Sequence, residues 1–129
     1  MLIDTSAWVE FLRRTGSPTA HAVAAAVRGQ AATTDVIVME VLAGTTDPDR
    51  LSSWERAMDG VDYVAQLPRD DAEAAAAIYR ACRRGGESPR QITDCLIAAV
   101  AIRCALPVLH HDRDFEVIAR HTVLETVTA

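Results

Sequence analysis

The first eight residues, Met1-Leu2-Ile3-Asp4-Thr5-Ser6-Ala7-Trp8, constrain the chain more than any other stretch. Leu2 and Ile3 are apolar, and β-branched Ile3 suits a short buried strand. Asp4 follows at once, an acid placed where a buried strand must end. Thr5 and Ser6 are good helix N-caps, and Trp8, Val9, Phe11 and Leu12 give the next helix an apolar face. The order is strand, carboxylate, helix. In open α/β sheets ligands bind outside the carboxyl ends of the strands, where Asp4 would sit. Taken alone, Asp4 reads more readily as a solvated strand-end acid or a turn former. Its weight comes from three further isolated acids, Glu40, Asp94 and Asp112, each of which interrupts or borders an apolar segment.

The rest of the chain alternates in the same way. The first helix is expected from about Ser6 to Arg14. Thr15-Gly16-Ser17 breaks it, and Ser17-Pro18 opens a second helix that Gly29 ends. Ala31 to Thr33 reads as strand two. Thr34 to Gly44 contains Val-Ile-Val, which favours a strand, but its cap, its glycine stop and its length favour a short helix. On that helix Ile37, Glu40, Val41 and Gly44 share a face. Asp47-Pro48 opens another helix with Leu51, Trp54 and Met58 as its buried stripe. Val61 to Ala65 reads as strand three, and Arg69 to Arg84 as a long helix with acids at its start and arginines at its end, matching the helix dipole. After Gly85-Gly86 and a polar loop, a helix runs from Thr93 or Asp94 to about Ala105. It is apolar nearly all round, so it is expected to be sandwiched. Asp94 at its head also reads as an ordinary cap. Pro107 to Leu109 is strand four, followed by Asp112, which repeats the arrangement of Asp4. Phe115 and Ile118 anchor the last helix, and Val123 to Val127 closes the sheet. Regular alternation gives an α/β fold with a mostly parallel sheet, in one domain over residues 1–129.

Composition excludes several classes. A net charge of -5 argues against general electrostatic binding to nucleic acid, though not against a local basic patch. All 13 basic residues are Arg. Cys82, Cys95 and Cys104 lie in apolar or helical contexts with no CxxC spacing, so they read as reduced core thiols of a cytosolic protein and not as a zinc site. The longest apolar run, Cys95 to Ile102, is well short of the ~20 residues of a membrane span. The acid at position 4 and the lack of a basic leader exclude a signal peptide.

Four segments together resemble a known family, the PIN-domain ribonucleases, and most closely the VapC-type toxins of bacterial toxin–antitoxin pairs. They are Ile3-Asp4-Thr5-Ser6, Met39-Glu40-Val41-Leu42, Thr93-Asp94-Cys95-Leu96-Ile97-Ala98 and His111-Asp112-Arg113-Asp114-Phe115. The resemblance spans the whole chain, in order. It implies a five-stranded parallel sheet with the first strand central and helices around it. It also implies Mg²⁺- or Mn²⁺-dependent endonucleolytic cleavage of RNA such as a tRNA or rRNA loop, a cognate antitoxin, and pairing as a homodimer. One departure is His110, where the family often has Thr two residues before its fourth acid.

The residues support that chemistry independently. If strand one is central, as the resemblance implies, chain order reverses between strands one and four, and a crevice opens beside Asp4 and Asp112. Crowded carboxylates repel unless a cation joins them, and Mg²⁺ prefers oxygen ligands and keeps waters for a substrate phosphate. The expected catalytic acids are Asp4, Glu40, Asp94 and Asp112, with Asp4, Asp94 and Asp112 on the metal. Asp114 stands as the alternative fourth acid; Asp112 is favoured as nearer the strand end. Ser6 either orients Asp4 or simply caps the helix. Arg83, Arg84 and Arg90, around the Gly85-Gly86 loop, are expected to hold RNA phosphates, although Arg83 and Arg84 also complement the helix dipole. Trp8, Phe11 and Leu12 are expected to offer an apolar rim to an antitoxin peptide, with plain core as the competing role.

Other classes fit less well. A phosphoacceptor receiver domain normally needs a Lys near its site, and this chain has none. An HD-type phosphohydrolase, suggested by His111-Asp112, needs further histidines on helices, and the context of His21, His110, His111 and His121 fits poorly. A non-catalytic interaction module would have no use for four acids in register.

Overall fold

The structure, a computed structural model, describes all 129 residues. Five short strands form one parallel sheet: β1 (Leu2–Ile3), β2 (Ala32–Thr34), β3 (Asp62–Val64), β4 (Val108–Leu109) and β5 (Thr126–Val127), in the order β3-β2-β1-β4-β5. β1 is central, with Leu2 in register with both Ala32 and Val108, and Ile3 with Leu109. Both β1 residues are fully buried, as a strand covered on two faces requires.

The connections are helical. Between β1 and β2 run α1 (Thr5–Leu12) and α2 (Pro18–Val27), and between β2 and β3 run α3 (Asp35–Leu42) and α4 (Pro48–Asp59). α5 (Pro68–Arg84) and α6 (Ile92–Arg103) lead from β3 back to β4, and α7 (Arg113–His121) joins β4 to β5. Right-handed crossovers place α1–α4 on one face, because the chain moves one way across the sheet, and α5–α7 on the other, because it then moves back. α1 packs on α2 and α3, while α6 packs on α5 and α7, which also touch each other. The core is continuous across the sheet: Trp8, Ile37, Ile97, Leu109, Phe115 and Ile118 are fully buried. The α/β class, the parallel sheet, the central first strand and the sandwiched α6 are as the sequence leads one to expect. So is the helical rather than extended state of Val36-Ile37-Val38. The three cysteines are free thiols, two of them buried.

Several boundaries differ, each for a local reason. Asp4, not Thr5 or Ser6, is the N-cap of α1, since a carboxylate is the stronger acceptor at the positive end of a helix. α1 ends at Leu12, and Arg14 takes a left-handed φ of 55° that terminates it. α6 begins at Ile92, so Asp94 lies inside its first turn and is not its cap. Ala105, with φ 53°, lies beyond its end. Only Thr126 and Val127 of the expected last strand pair with β4.

A candidate metal centre at the sheet switch point

β1 and β4 are neighbours, and the chain leaves them on opposite sides of the sheet. The crevice predicted for such a switch point lies above their carboxyl ends. The Asp4 N–H continues the ladder by donating to Leu109 O at 2.9 Å. The Asp4 carboxylate therefore emerges where β1 stops. It remains 3% exposed. Its Oδ2 accepts from Ser6 N at 2.9 Å and from Ser6 Oγ at 2.5 Å, while Oδ1 is buried with no partner. Ser6 Oγ in turn accepts from the His111 backbone N–H at 2.9 Å, which ties the exit of β4 to that of β1.

Asp94 reaches the same crevice from the first turn of α6. It is buried, and its Oδ2 has no partner. Asp112 caps α7 by accepting from Asp114 N at 3.0 Å. Asp114, 1% exposed, accepts at Oδ2 from the backbone N–H groups of Arg90 at 2.8 Å and Gln91 at 3.3 Å. One carboxylate oxygen from each of Asp94, Asp112 and Asp114 lies within 4.8 Å of the others. Glu40 approaches from α3, where Thr5 Oγ1 donates to its Oε1 at 2.8 Å.

The electrostatics follow from this crowding. Burial pushes the Asp4 carboxyl up to about 6; Ser6 opposes the rise, and the charge of Glu40 adds to it. Asp94 is pushed up to about 8, by burial first and then by Asp4, Asp114 and Asp112. Buried polar atoms without partners are rare, and a cation held by the Asp94, Asp112 and Asp114 group would relieve this crowding; Asp4 stands outside that 4.8 Å group and acts on Asp94 through its charge. The donors are all oxygen, and no histidine or thiol joins the cluster, which fits a hard divalent ion and not zinc.

The other expected residues separate. Arg90 does not stand beside Arg83 and Arg84. Its Nη2 lies 3.0 Å from Asp112 Oδ1 and its Nε 3.4 Å from Asp114 Oδ1, inside the acidic cluster. Arg83 and Arg84 are exposed at the end of α5, where with Arg80 they line an open cleft of about 350 Å³. Trp8 is fully buried in the core and forms only the floor of a cleft of about 230 Å³ that Phe11, Val27, Ala57 and Val61 border. Leu12 borders a broader one of about 620 Å³ with Arg13, Arg14 and Arg50. His110 is buried and tilted against Phe115. Its Nδ1 accepts from Asp112 N at 3.2 Å, and burial holds the imidazole below its ordinary pKa, so it positions the turn after β4 as a neutral group. Three interactions escape sequence reasoning: Thr5 with Glu40, Ser6 with His111, and Arg90 with the acids. Only Ser6, two residues after Asp4 at a helix start, offers any signal.

Comparison with known proteins agrees with this geometry. Residues 1–121 match the PIN domain family. A VapC ribonuclease of Mycobacterium bovis and ribonuclease VapC11 of Mycobacterium tuberculosis are each 45% identical over 131 residues, covering 99% of this chain and 98% of theirs. The fold superposes on VapBC2 of Rickettsia felis bound to promoter DNA with a TM-score of 0.79 at 12% identity, covering 99% of this chain and 97% of that one. It superposes on VapBC-5 of Mycobacterium tuberculosis with a TM-score of 0.68 at 23% identity and the same coverage. An acidic switch-point crevice in a sheet of this order, with near-full-length identity at that level, has one explanation: the chain belongs to the PIN-domain family, among its VapC ribonucleases.

Proposed function

We propose that the chain is the toxin of a toxin–antitoxin pair, a cytoplasmic endoribonuclease that cuts structured RNA such as a tRNA or rRNA loop with a carboxylate-held Mg²⁺ or Mn²⁺. The observation that carries the metal reading is the close group of Asp94, Asp112 and Asp114 carboxylates, in which Asp94 Oδ2 is buried and unpartnered, with the buried, unpartnered Asp4 Oδ1 at the end of β1. Asp4, Asp94 and Asp112 would hold the ion, with Asp114 and Glu40 completing the site directly or through waters. The ion supplies a water of lowered pKa and offsets negative charge on the phosphate. The chain's own part is positional. Ser6 fixes Asp4, Thr5 fixes Glu40, and the N–H groups of Arg90 and Gln91 fix Asp114. Arg83 and Arg84 would meet RNA phosphates at their own open cleft at the end of α5. The RNA class rests on the resemblance alone.

The partner reading rests on the relatives, several of which were solved as VapBC complexes. The clefts beside α1 and α4 suit an amphipathic peptide whose apolar side chains meet Phe11 and Leu12 and whose Arg or Lys reaches the carboxylates. Pairing as a homodimer is carried over from the family. The test is cleavage of total RNA by the purified protein. Cleavage should require Mg²⁺ or Mn²⁺, stop with chelator, and vanish in Asp94→Asn. Full activity in excess chelator overturns the metal mechanism. Co-expression with the product of the adjacent upstream reading frame tests the partner; a product that neither binds nor inhibits sinks that part alone.

A further inference from the structure

Arg90 is built into the acidic cluster in two separate ways. Its backbone N–H donates to Asp114 Oδ2 at 2.8 Å. Its guanidinium reaches Asp112 Oδ1 at 3.0 Å and Asp114 Oδ1 at 3.4 Å. The backbone part is rigid. Glu87, three residues earlier, accepts from Arg120 at 2.9 and 3.1 Å and meets His121 Nε2 at 2.8 Å, and Pro89 is buried. At Gly85 a Cβ would collide with the His121 ring, so the start of this loop is closed down on α7. The guanidinium is the solvent-facing part: the Arg90 side chain is 64% exposed, while Asp114 is 1% exposed. It can turn into solvent without disturbing the loop. Asp114 Oδ2 would stay with the two backbone N–H groups, and Asp114 Oδ1, held only by the long Nε interaction, would become free.

We infer that Arg90 is the resident counter-cation of the carboxylate cluster and that it competes with the divalent ion for Asp112 and Asp114. This rests on the metal reading above. In the metal-free protein the guanidinium offsets the mutual repulsion of the acids. Metal entry requires it to leave, which lowers metal affinity and frees an arginine beside the ion for a substrate phosphate.

The experiment is calorimetric titration of Mn²⁺ into the full chain and into Arg90→Ala. The variant should bind about tenfold more tightly or better, since removing a unit charge a few ångströms away recovers a fraction of its Coulomb energy near a surface. Arg90→Gln serves the same purpose if the alanine protein fails to fold. In parallel, NMR should show the wild-type Arg90 Nε–H moving to the position of a free arginine as Mg²⁺ saturates, while the Arg90 backbone amide keeps its bonded shift. Equal or weaker Mn²⁺ binding in the variant, or an unmoved Nε–H, overturns the competition and leaves the metal site standing. Absence of Mn²⁺ binding in both proteins overturns the metal reading and the competition with it.

Discussion

Ser6 Oγ lies 2.5 Å from Asp4 Oδ2 and 2.9 Å from the backbone nitrogen of His111, so one hydroxyl joins the exit of β1 to the exit of β4. It does more than support the Asp4 cap of α1, because the Ser6 backbone N–H already donates to that cap. Its bond to Asp4 opposes the rise in pKa that burial causes. Ser6→Ala should therefore weaken Mg²⁺ binding by about 10–100-fold, the range seen when a group that orients a metal ligand is lost. Ser6→Thr, which keeps the hydroxyl, should restore most of it. Calorimetry with both variants decides, and equal affinity in Ser6→Ala would reduce the hydroxyl to a structural link between the exits of β1 and β4.

The raised carboxyl pKa values of Asp4 and Asp94 fix the pH dependence of stability. From an ordinary 3.8, Asp4 is lifted to about 6 and Asp94 to about 8 in the folded chain. Between about pH 4 and 8 the native state holds protons that the unfolded state has released, so stability without metal falls as pH rises through that window. Metal reverses the trend, because it binds the ionised native cluster and not the unfolded chain. Thermal melts in chelator should decline from pH 5 to 8, and millimolar Mg²⁺ should raise the melting temperature most at the alkaline end. Asp94→Asn should melt higher than wild type in chelator at pH 8 and gain nothing from Mg²⁺. A melting temperature that rises with pH in chelator would contradict this account.

Stability away from the site has its own ion pair, between a buried Asp71 and a partly buried Arg103. Arg103 Nε and Nη2 donate to the two oxygens of Asp71, each at 2.9 Å, and Nη2 also donates to Ala65 O at 2.9 Å. Asp71 is 2% exposed and also accepts from Leu67 N at 2.7 Å. The pair locks the start of α5 to the end of α6. Arg103→Ala leaves the carboxylate buried with only Leu67 and should cost about 3 kcal/mol in urea denaturation. The double change Asp71→Leu with Arg103→Met, of similar volume and uncharged, should recover most of that loss. Arg103 holds the Asp71 carboxyl below its usual range, so its contribution is present above about pH 4 and fades as pH falls further. If the double variant is no more stable than Arg103→Ala, the pair contributes more than charge compensation.

What can be read in the chain is what is local in it. Leu2-Ile3-Asp4 and Val108-Leu109 with Asp112 are strand-then-acid patterns, and a parallel sheet with a central first strand turns both into one crevice. The helix of Glu40 is legible from its length and stops, but not its bond to Thr5, which depends on how α3 crosses α1. Asp94 looks like a cap because Asp is common there, whereas α6 starts two residues earlier at Ile92. Arg90 looks like a partner of Arg83 and Arg84 because they are close in sequence. The Glu87 clamp turns it instead toward α7 and the acids. Asp71 looks like one of several dipole charges, and only the packing of α5 on α6 gives it Arg103. Trp8 shows the same limit: an apolar helix face is visible in sequence, but which of its residues form the floor is not.

The separation of Arg90 from Arg83 and Arg84 sharpens the substrate prediction. Arg80, Arg83 and Arg84 border one open cleft, and Arg83 stacks at 6.0 Å over the Tyr79 ring. They project from the last turns of α5, where part of their effect is to offset the helix dipole. Arg84→Ala with Arg83→Ala should weaken RNA binding uniformly across sequences and lower the slope of log affinity against log salt by about 1 for each phosphate no longer neutralised. Folding should change little, because both side chains are exposed and Tyr79 keeps its place on α5. Metal affinity should not change at all, which distinguishes these residues from Arg90. The measurement is a salt titration of RNA binding by the inactive Asp94→Asn protein with and without the two changes. An unaltered salt slope would remove this cleft from the RNA path and leave its arginines to the helix end.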